Sequence, residues 1–143
     1  MTVVRPGEGR SVDLGVVSMR VLAAGDATGS AFTLAEFYGE GEGLWTVPHR
    51  HEGFEESFLV LDGLFTFSVG DDRIEATSGT YVLVPRGTAH AIEAAPGGGR
   101  FLTLMVPGGL EEMFFELGDL PTNAIRDPAA RRAISDRYDS VPV

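Results

Sequence analysis

Residues 43–63 read Gly43-Leu-Trp-Thr-Val-Pro-His49-Arg-His51-Glu-Gly-Phe-Glu-Glu56-Ser-Phe-Leu-Val-Leu-Asp-Gly63. Apolar and polar residues alternate along this stretch as they do on a half-buried strand. His49 and His51 stand two apart in an extended segment, which points both imidazoles to one face. Glu56 opens the next run, and Asp62-Gly63 reads as a tight hairpin turn, because Asp and Gly tolerate positive φ at low cost. A second stretch, Gly79-Thr-Tyr-Val-Leu-Val-Pro85-Arg-Gly87-Thr-Ala-His90, carries the chain's third and last histidine past a Pro85-Arg-Gly87 turn onto another strand. On the inner faces of a small barrel, three imidazoles and a carboxylate make a site for a first-row transition metal with coordination positions left open.

Outward from these stretches, 19 Gly and 8 Pro punctuate short segments rich in Val, Phe, Leu and Thr. Strands are expected over 16–22, 31–38, 44–48, 56–61, 64–69, 73–76, 81–84, 90–94 and 101–106, with further turns at 70–72, 78–79 and 96–99. Within them Phe58, Phe65, Phe67, Tyr81 and Phe101 are expected to face the core, and Phe32, Phe37, Trp45, Met113 and Phe114 are candidates for a cavity wall.

Beyond Val106 the spacing turns helical. Leu110, Met113, Phe114 and Leu117 line one face, Glu111 and Glu112 suit the positive end of the helix, and Gly118 closes it. A second helix starts with Asp127 as N-cap and Pro128 in the first turn and runs to about Tyr138, with a weak apolar face of Ala130, Ala133, Ile134 and Tyr138. The length of 143 residues fits a single domain, 1–143, with an extended arm over 1–15, a β-barrel over 16–106 and a helical extension over 107–143.

The 21 acidic residues against 11 basic ones give a formal charge of −10, a field that repels nucleic acid and anionic membrane surfaces. All the basic residues are Arg, so lysine Schiff-base chemistry is excluded, and the absence of Cys removes thiolate nucleophiles, disulfides and iron–sulfur ligation. The absence of Lys, Cys and Gln also fits a genome with biased base composition, a setting associated with secondary metabolism. No signal peptide or membrane span is legible, so a cytoplasmic location is expected.

The two stretches also resemble a known family. Gly43, five residues, His49, one residue, His51, four residues, Glu56, six residues and Gly63 is similar to the first motif of the cupin superfamily. Gly79, five residues, Pro85, one residue, Gly87, two residues and His90 is similar to the second; the Asn usual four positions later is Ala94 here. Within that superfamily the runs Phe58–Gly63, Tyr81–His90 and Pro107–Gly118 resemble small single-domain bacterial cupins related to quercetin 2,3-dioxygenase. The resemblance implies an all-β fold, an antiparallel β-barrel or jelly roll with one or two short C-terminal helices. It also implies one divalent transition metal ion, Fe, Mn, Ni, Cu or Zn, held inside by His49, His51, Glu56 and His90. Glu52 and Glu55 compete with Glu56 by proximity, but Glu56 alone has the motif spacing, so Glu52 and Glu55 are expected to face solvent or support the ligands, with Glu55 the alternative ligand or catalytic base should a bulge shift the strand start. Arg50, between the histidines, should point away into a surface salt bridge.

Three functions follow as expectations. The first is a metal-dependent dioxygenase acting on a hydrophobic aromatic, enolic or polyketide-like molecule, with dioxygen as co-substrate and Glu56 as ligand and proton acceptor. The second is a non-redox Zn-dependent polyketide cyclase or isomerase, and the third a small-molecule-binding module without catalysis. A homodimer is expected through edge strands, with the 1–15 arm offered to a neighbour.

Overall fold

Among the described residues the alternation read from the sequence produces nine strands: β1 Ser11–Asp13, β2 Ser18–Ala23, β3 Thr33–Gly39, β4 Gly43–Arg50, β5 Glu55–Val69, β6 Asp72–Ala76, β7 Tyr81–Val84, β8 His90–Val106 and β9 Val141–Pro142. Two helices, α1 Glu111–Gly118 and α2 Pro128–Ser135, follow the long β8. The structure, a computed structural model, describes residues 1–122, 124 and 127–143.

All strand pairs are antiparallel, and β5 and β8 organise them. The first half of β5 pairs with the second half of β8 and with β7, beside β3, β2 and β1. The second half of β5 pairs with the first half of β8 and with β6, beside β4 and β9. Two strands therefore bend from one face of a β-sandwich to the other, which gives the all-β barrel or jelly roll that the residues lead one to expect.

This bend corrects two readings. Asp62-Gly63 is not a hairpin turn, and residues 96–99 are not a loop: both lie inside continuous strands, and Gly63 pairs with Gly99. The register of β5 against β8 shifts between Val60 and Asp62 and again between Gly63 and Phe65. Gly63 at φ 88° and Gly98 at φ 65° use positive φ to bulge and turn a corner rather than to reverse the chain. A Cβ on Gly63 would collide with the Gly98 carbonyl oxygen.

Inside, Phe58, Phe65, Phe67 and Phe101 are buried as expected. Phe101 is the hub, with ring centroids 5.1 Å from Phe65, 5.5 Å from Phe37 and 5.6 Å from Phe58. Tyr81 is a correction: it is 62% exposed. Phe58 pairs with Val82 and Glu56 with Val84, so Val82 and Val84 take the inward phase on β7 and Tyr81 and Leu83 the outward one.

The N-terminal arm lies on its own chain, where Ser11–Asp13 extends the β2 edge. Gly118 is not a left-handed cap; it is a point of close approach, because a Cβ there would overlap the Val12 side chain. Glu111 stands in the first turn of α1 as the sequence indicates, and it is buried there, accepting hydrogen bonds from Gly25 N and Thr33 Oγ1, each 2.6 Å, and from Gly109 N at 3.0 Å. On α2 the Asp127 carboxylate caps Ala129 N and Ala130 N as the sequence indicates, and a short 3-10 turn carries the chain on to Tyr138. Of its expected apolar face, Ile134 is the buried member. No helix among the described residues is long and apolar enough to cross a membrane.

Candidate metal centre

Strand pairing assembles the site. His49 on β4 is paired with His90 at the start of β8, and register shifts between Thr46 and His49 re-aim the strand end that carries His49. Where the ladder is interrupted, Thr46 Oγ1 accepts the hydrogen bond from Ile92 N at 3.0 Å. Glu56 on β5 points inward between Val84 on β7 and Met105 on β8. The turn of the second sequence stretch is tied to the first, since Gly87 N donates to His51 O at 2.6 Å.

The fold brings His49, His51, Glu56 and His90 together, with one ligand atom from each lying within 4.8 Å of all the others. His51, Glu56 and His90 are buried and His49 is half-buried. Glu55 and Glu52 are outside this group: alternation puts Glu55 on the other face of β5, and Glu52 is exposed and pairs with Arg50 at 2.6 Å. Arg50 thus makes the surface ion pair expected of it.

Each imidazole is oriented by a carbonyl oxygen, which accepts only. Nδ1–H of His49 donates to Val47 O at 2.7 Å, that of His51 to Asp139 O at 2.7 Å, and that of His90 to Thr88 O at 3.1 Å. In the neutral rings this leaves three Nε2 lone pairs turned inward. His49 Nε2 and His51 Nε2 are 3.1 Å apart, and Glu56 Oε2 is 3.1 Å from His90 Nε2 and 3.6 Å from His51 Nε2. Four acceptors facing one another require either protons or a cation between them. Protons occupy part of the cluster: burial alone would lower the His51 pKa, but the Glu56 carboxylate and the Asp139 carbonyl outweigh it and raise it above its ordinary value. Burial would raise that of Glu56, yet the hydrogen bonds from His51 and His90 hold it well below the usual carboxylate range. His49 is lowered to about 4 by burial and by the neighbouring His90, so its ring is neutral at pH 7. Three imidazole nitrogens and one carboxylate oxygen so arranged fit a divalent transition ion.

Asp139 was not legible as part of the site. Beyond its carbonyl contact to His51, its carboxylate accepts from Glu52 N at 3.1 Å and Gly53 N at 2.6 Å, pinning the loop between β4 and β5. After it the chain runs as β9 beside His49 and Arg50, and Val143 N donates to Pro48 O at 3.4 Å. Nothing local marks Asp139 in sequence, because its partners are 86 to 88 positions away.

Over the cluster opens a cavity of about 690 Å³. Phe37, Trp45, Phe58, Phe101, Met113 and Phe114 supply much of its wall, so four of the five proposed wall residues are there. Phe32 is not: it is exposed beside Thr28, whose Oγ1 donates to Phe32 O at 2.6 Å. On the other side α2 presents Pro128, Arg131, Arg132 and Ser135, one helical face, to the same space.

Residues 38–107 match the family model of the cupin domain. Quercetin 2,3-dioxygenase of Bacillus subtilis (strain 168) is 28% identical over 132 residues, covering 92% of this chain and 39% of that protein. The quercetin 2,3-dioxygenase of Aspergillus japonicus is 28% identical over 125 residues, covering 83% of this chain and 36% of its own length. The chain therefore spans less than two-fifths of these curated relatives. Among solved structures, KdgF from Halomonas sp. superposes with a TM-score of 0.69 at 15% identity, over 78% of this chain and 98% of that one, a likeness of fold. Motif spacing, topology and these matches agree: residues 38–107 match the cupin domain, and the findings support a cupin-superfamily protein that resembles the quercetin 2,3-dioxygenases.

Proposed function

We propose that this chain is a metal-dependent dioxygenase of quercetinase type, acting on a hydrophobic oxygenated small molecule of aromatic, enolic or polyketide-like character. The observation that supports this reading is the convergence of four ligand atoms on a cavity whose wall is mostly aromatic and aliphatic. In this reading His49, His51 and His90 each give an Nε2 lone pair and Glu56 one carboxylate oxygen. A divalent transition ion held there would supply Lewis acidity toward a substrate oxygen and a means of activating dioxygen.

The chain's own residues do the rest. Glu56, ionised at neutral pH, is in the state that accepts the proton of an incoming phenol or enol hydroxyl. The backbone carbonyls of Val47, Thr88 and Asp139 keep the three rings from rotating when that proton moves. Phe58, Phe101 and Phe114 hold the apolar skeleton and keep water from the reacting end. The proposal takes 1–143 as one domain, with 1–15 an arm, 16–106 the barrel and 107–143 the helical extension, working in the cytoplasm as a homodimer. Limited proteolysis that separates these parts would contradict the first point, and light scattering at the 15.2 kDa of one chain the last.

The deciding experiment is elemental analysis of untagged protein and of a His49→Ala/His51→Ala variant, with oxygen uptake measured on flavonols and enolic diketones. Stoichiometric Fe, Mn, Ni or Cu that is lost in the variant, with oxygen consumed during turnover, is the expected result. Stoichiometric zinc with turnover under nitrogen would replace the reading by a non-redox cyclase or isomerase. Binding without chemical change would reduce it to a binding module, and no metal after reconstitution would overturn it.

A further inference from the structure

The cavity over the cluster has one cationic wall. Among its described lining residues Glu56 is the sole acid, and the arginines are Arg131 and Arg132 on α2. With Pro128 and Ser135 they fall at i, i+3, i+4 and i+7, the helix face turned to the cavity, while Ile134 anchors the helix in the core. The two arginines stand eight and seven residues before Asp139, whose carbonyl holds the His51 ring. A helix followed by a 3-10 turn covers on the order of 10 Å over that length, so their backbone is set well apart from the ligand atoms. Burial pushes the Arg131 pKa below the ordinary arginine value, which puts the charged head, and not the aliphatic stem alone, in dewatered surroundings. Arg131 interacts within the chain, and its five N–H donors let it serve a ligand as well. Arg132 is more open: its Nε lies 3.8 Å from the Asp136 carboxylate in an exposed pair of little strength, readily exchanged for another anion. Cations beside a largely apolar cavity carry a desolvation cost that an anionic ligand offsets. In a chain of formal charge −10 the overall field repels anions, so the attraction has to be local.

We infer that Arg131 and Arg132 form a carboxylate-binding subsite, so that the ligand is a hydrophobic acid with an oxygen at one end for the His49–His51–Glu56–His90 cluster and a carboxylate at the other against α2. This rests on the functional reading above and narrows its substrate class to aromatic, enolic or polyketide-like acids. The planar guanidinium fork matches a carboxylate bidentately, and such charge-assisted bonds are about twice as strong as neutral ones.

The test titrates the full-length protein as purified, under nitrogen, with 6-hydroxy-2-naphthoate and 6-hydroxy-2-naphthamide, which share a shape and differ in charge. Calorimetry should show the wild type preferring the carboxylate by about tenfold or more, the effect of one charge-assisted hydrogen bond. That preference should shrink as salt is raised to about 0.5 M. Arg131→Met/Arg132→Met should bring the two affinities within about twofold of each other. Arg131→Lys/Arg132→Lys should keep part of the preference, since the charge stays and the fork is lost. Arg132→Met alone removes only an exposed pair from the fold, so it answers the question even where the double variant does not fold. It should lower carboxylate affinity by about threefold. Equal affinities in the wild type, no binding of the carboxylate, a preference indifferent to salt, or one undiminished in the Met variants would overturn the inference; the last would place the carboxylate on the metal centre instead. Binding is read here without turnover, so elemental analysis and oxygen uptake test the dioxygenase reading separately.

Discussion

At the scale of single residues, the cluster is governed by where protons sit. The Glu56 carboxylate raises the His51 pKa above its ordinary value, so a metal ion competes there with a more tightly held proton, whereas His49, lowered to about 4, has none to give up at neutral pH. Acid therefore weakens metal binding: affinity should rise with pH through and beyond 6.5, by about tenfold per unit for one displaced proton, before levelling. Competition titrations with a chelator across this range should show that slope, and a plateau already reached below pH 6.5 would contradict it. Glu56→Gln preserves shape but cannot accept a proton as a carboxylate does, so turnover should fall by about a hundredfold or more, read as kcat on any confirmed substrate. Asp139→Gly keeps the left-handed backbone at φ 54° while removing the carboxylate that holds Glu52 N and Gly53 N. Metal affinity should drop by up to about tenfold with the fold intact, because the loop after His51 loses its tether while the Asp139 carbonyl that orients the His51 ring stays in place.

The elements show what was legible beforehand and what was not. His49, His51, Glu56 and His90 could be read because spacing along adjoining strands fixes which side chains share a face. Asp62-Gly63 was misread because a hairpin and a corner bulge make the same demand for positive φ, and only the partner strand decides between them; here it is β8 on both sides. Tyr81 was misread because phase on the four-residue β7 is set by Phe58 and Glu56 across the ladder. Glu111 carried the usual signal of a helix start and gave no hint that Gly25 and Thr33 would enclose it. Two stability measurements check these revisions. Gly63→Ala, forced into positive φ and against the Gly98 carbonyl, should cost about 2 kcal/mol or more in denaturant unfolding. Glu111→Ala should cost about 2–3 kcal/mol by stranding buried donors of Gly25 and Thr33.

For the molecule as a whole, the formal charge of −10 sits over an exterior where the arginines are already largely engaged. Arg20 and Arg100 both bind Glu36, at 2.9 and 3.3 Å, and Arg10, Arg73 and Arg137 pair with Glu112, Glu93 and Glu116. Glu36 is buried, but the pairs of Arg10, Arg73 and Arg137 are exposed and contribute little, so self-repulsion of the excess acids should dominate the response to salt. Tm should rise from low to physiological ionic strength, and a fall would mean that the ion pairs matter more than the excess charge.

The strap from Asp139 to Val143 has a practical corollary. Val143 borders the cavity, and β9 lies against His49. Any peptide genetically appended after Val143 would leave the protein at the rim of the cavity, and an oligohistidine there would place competing imidazoles within reach of the very cluster under study. Purification handles belong on the opposite terminus, and a preparation carrying one at the carboxyl end would report the metal preference of the handle as much as that of the barrel.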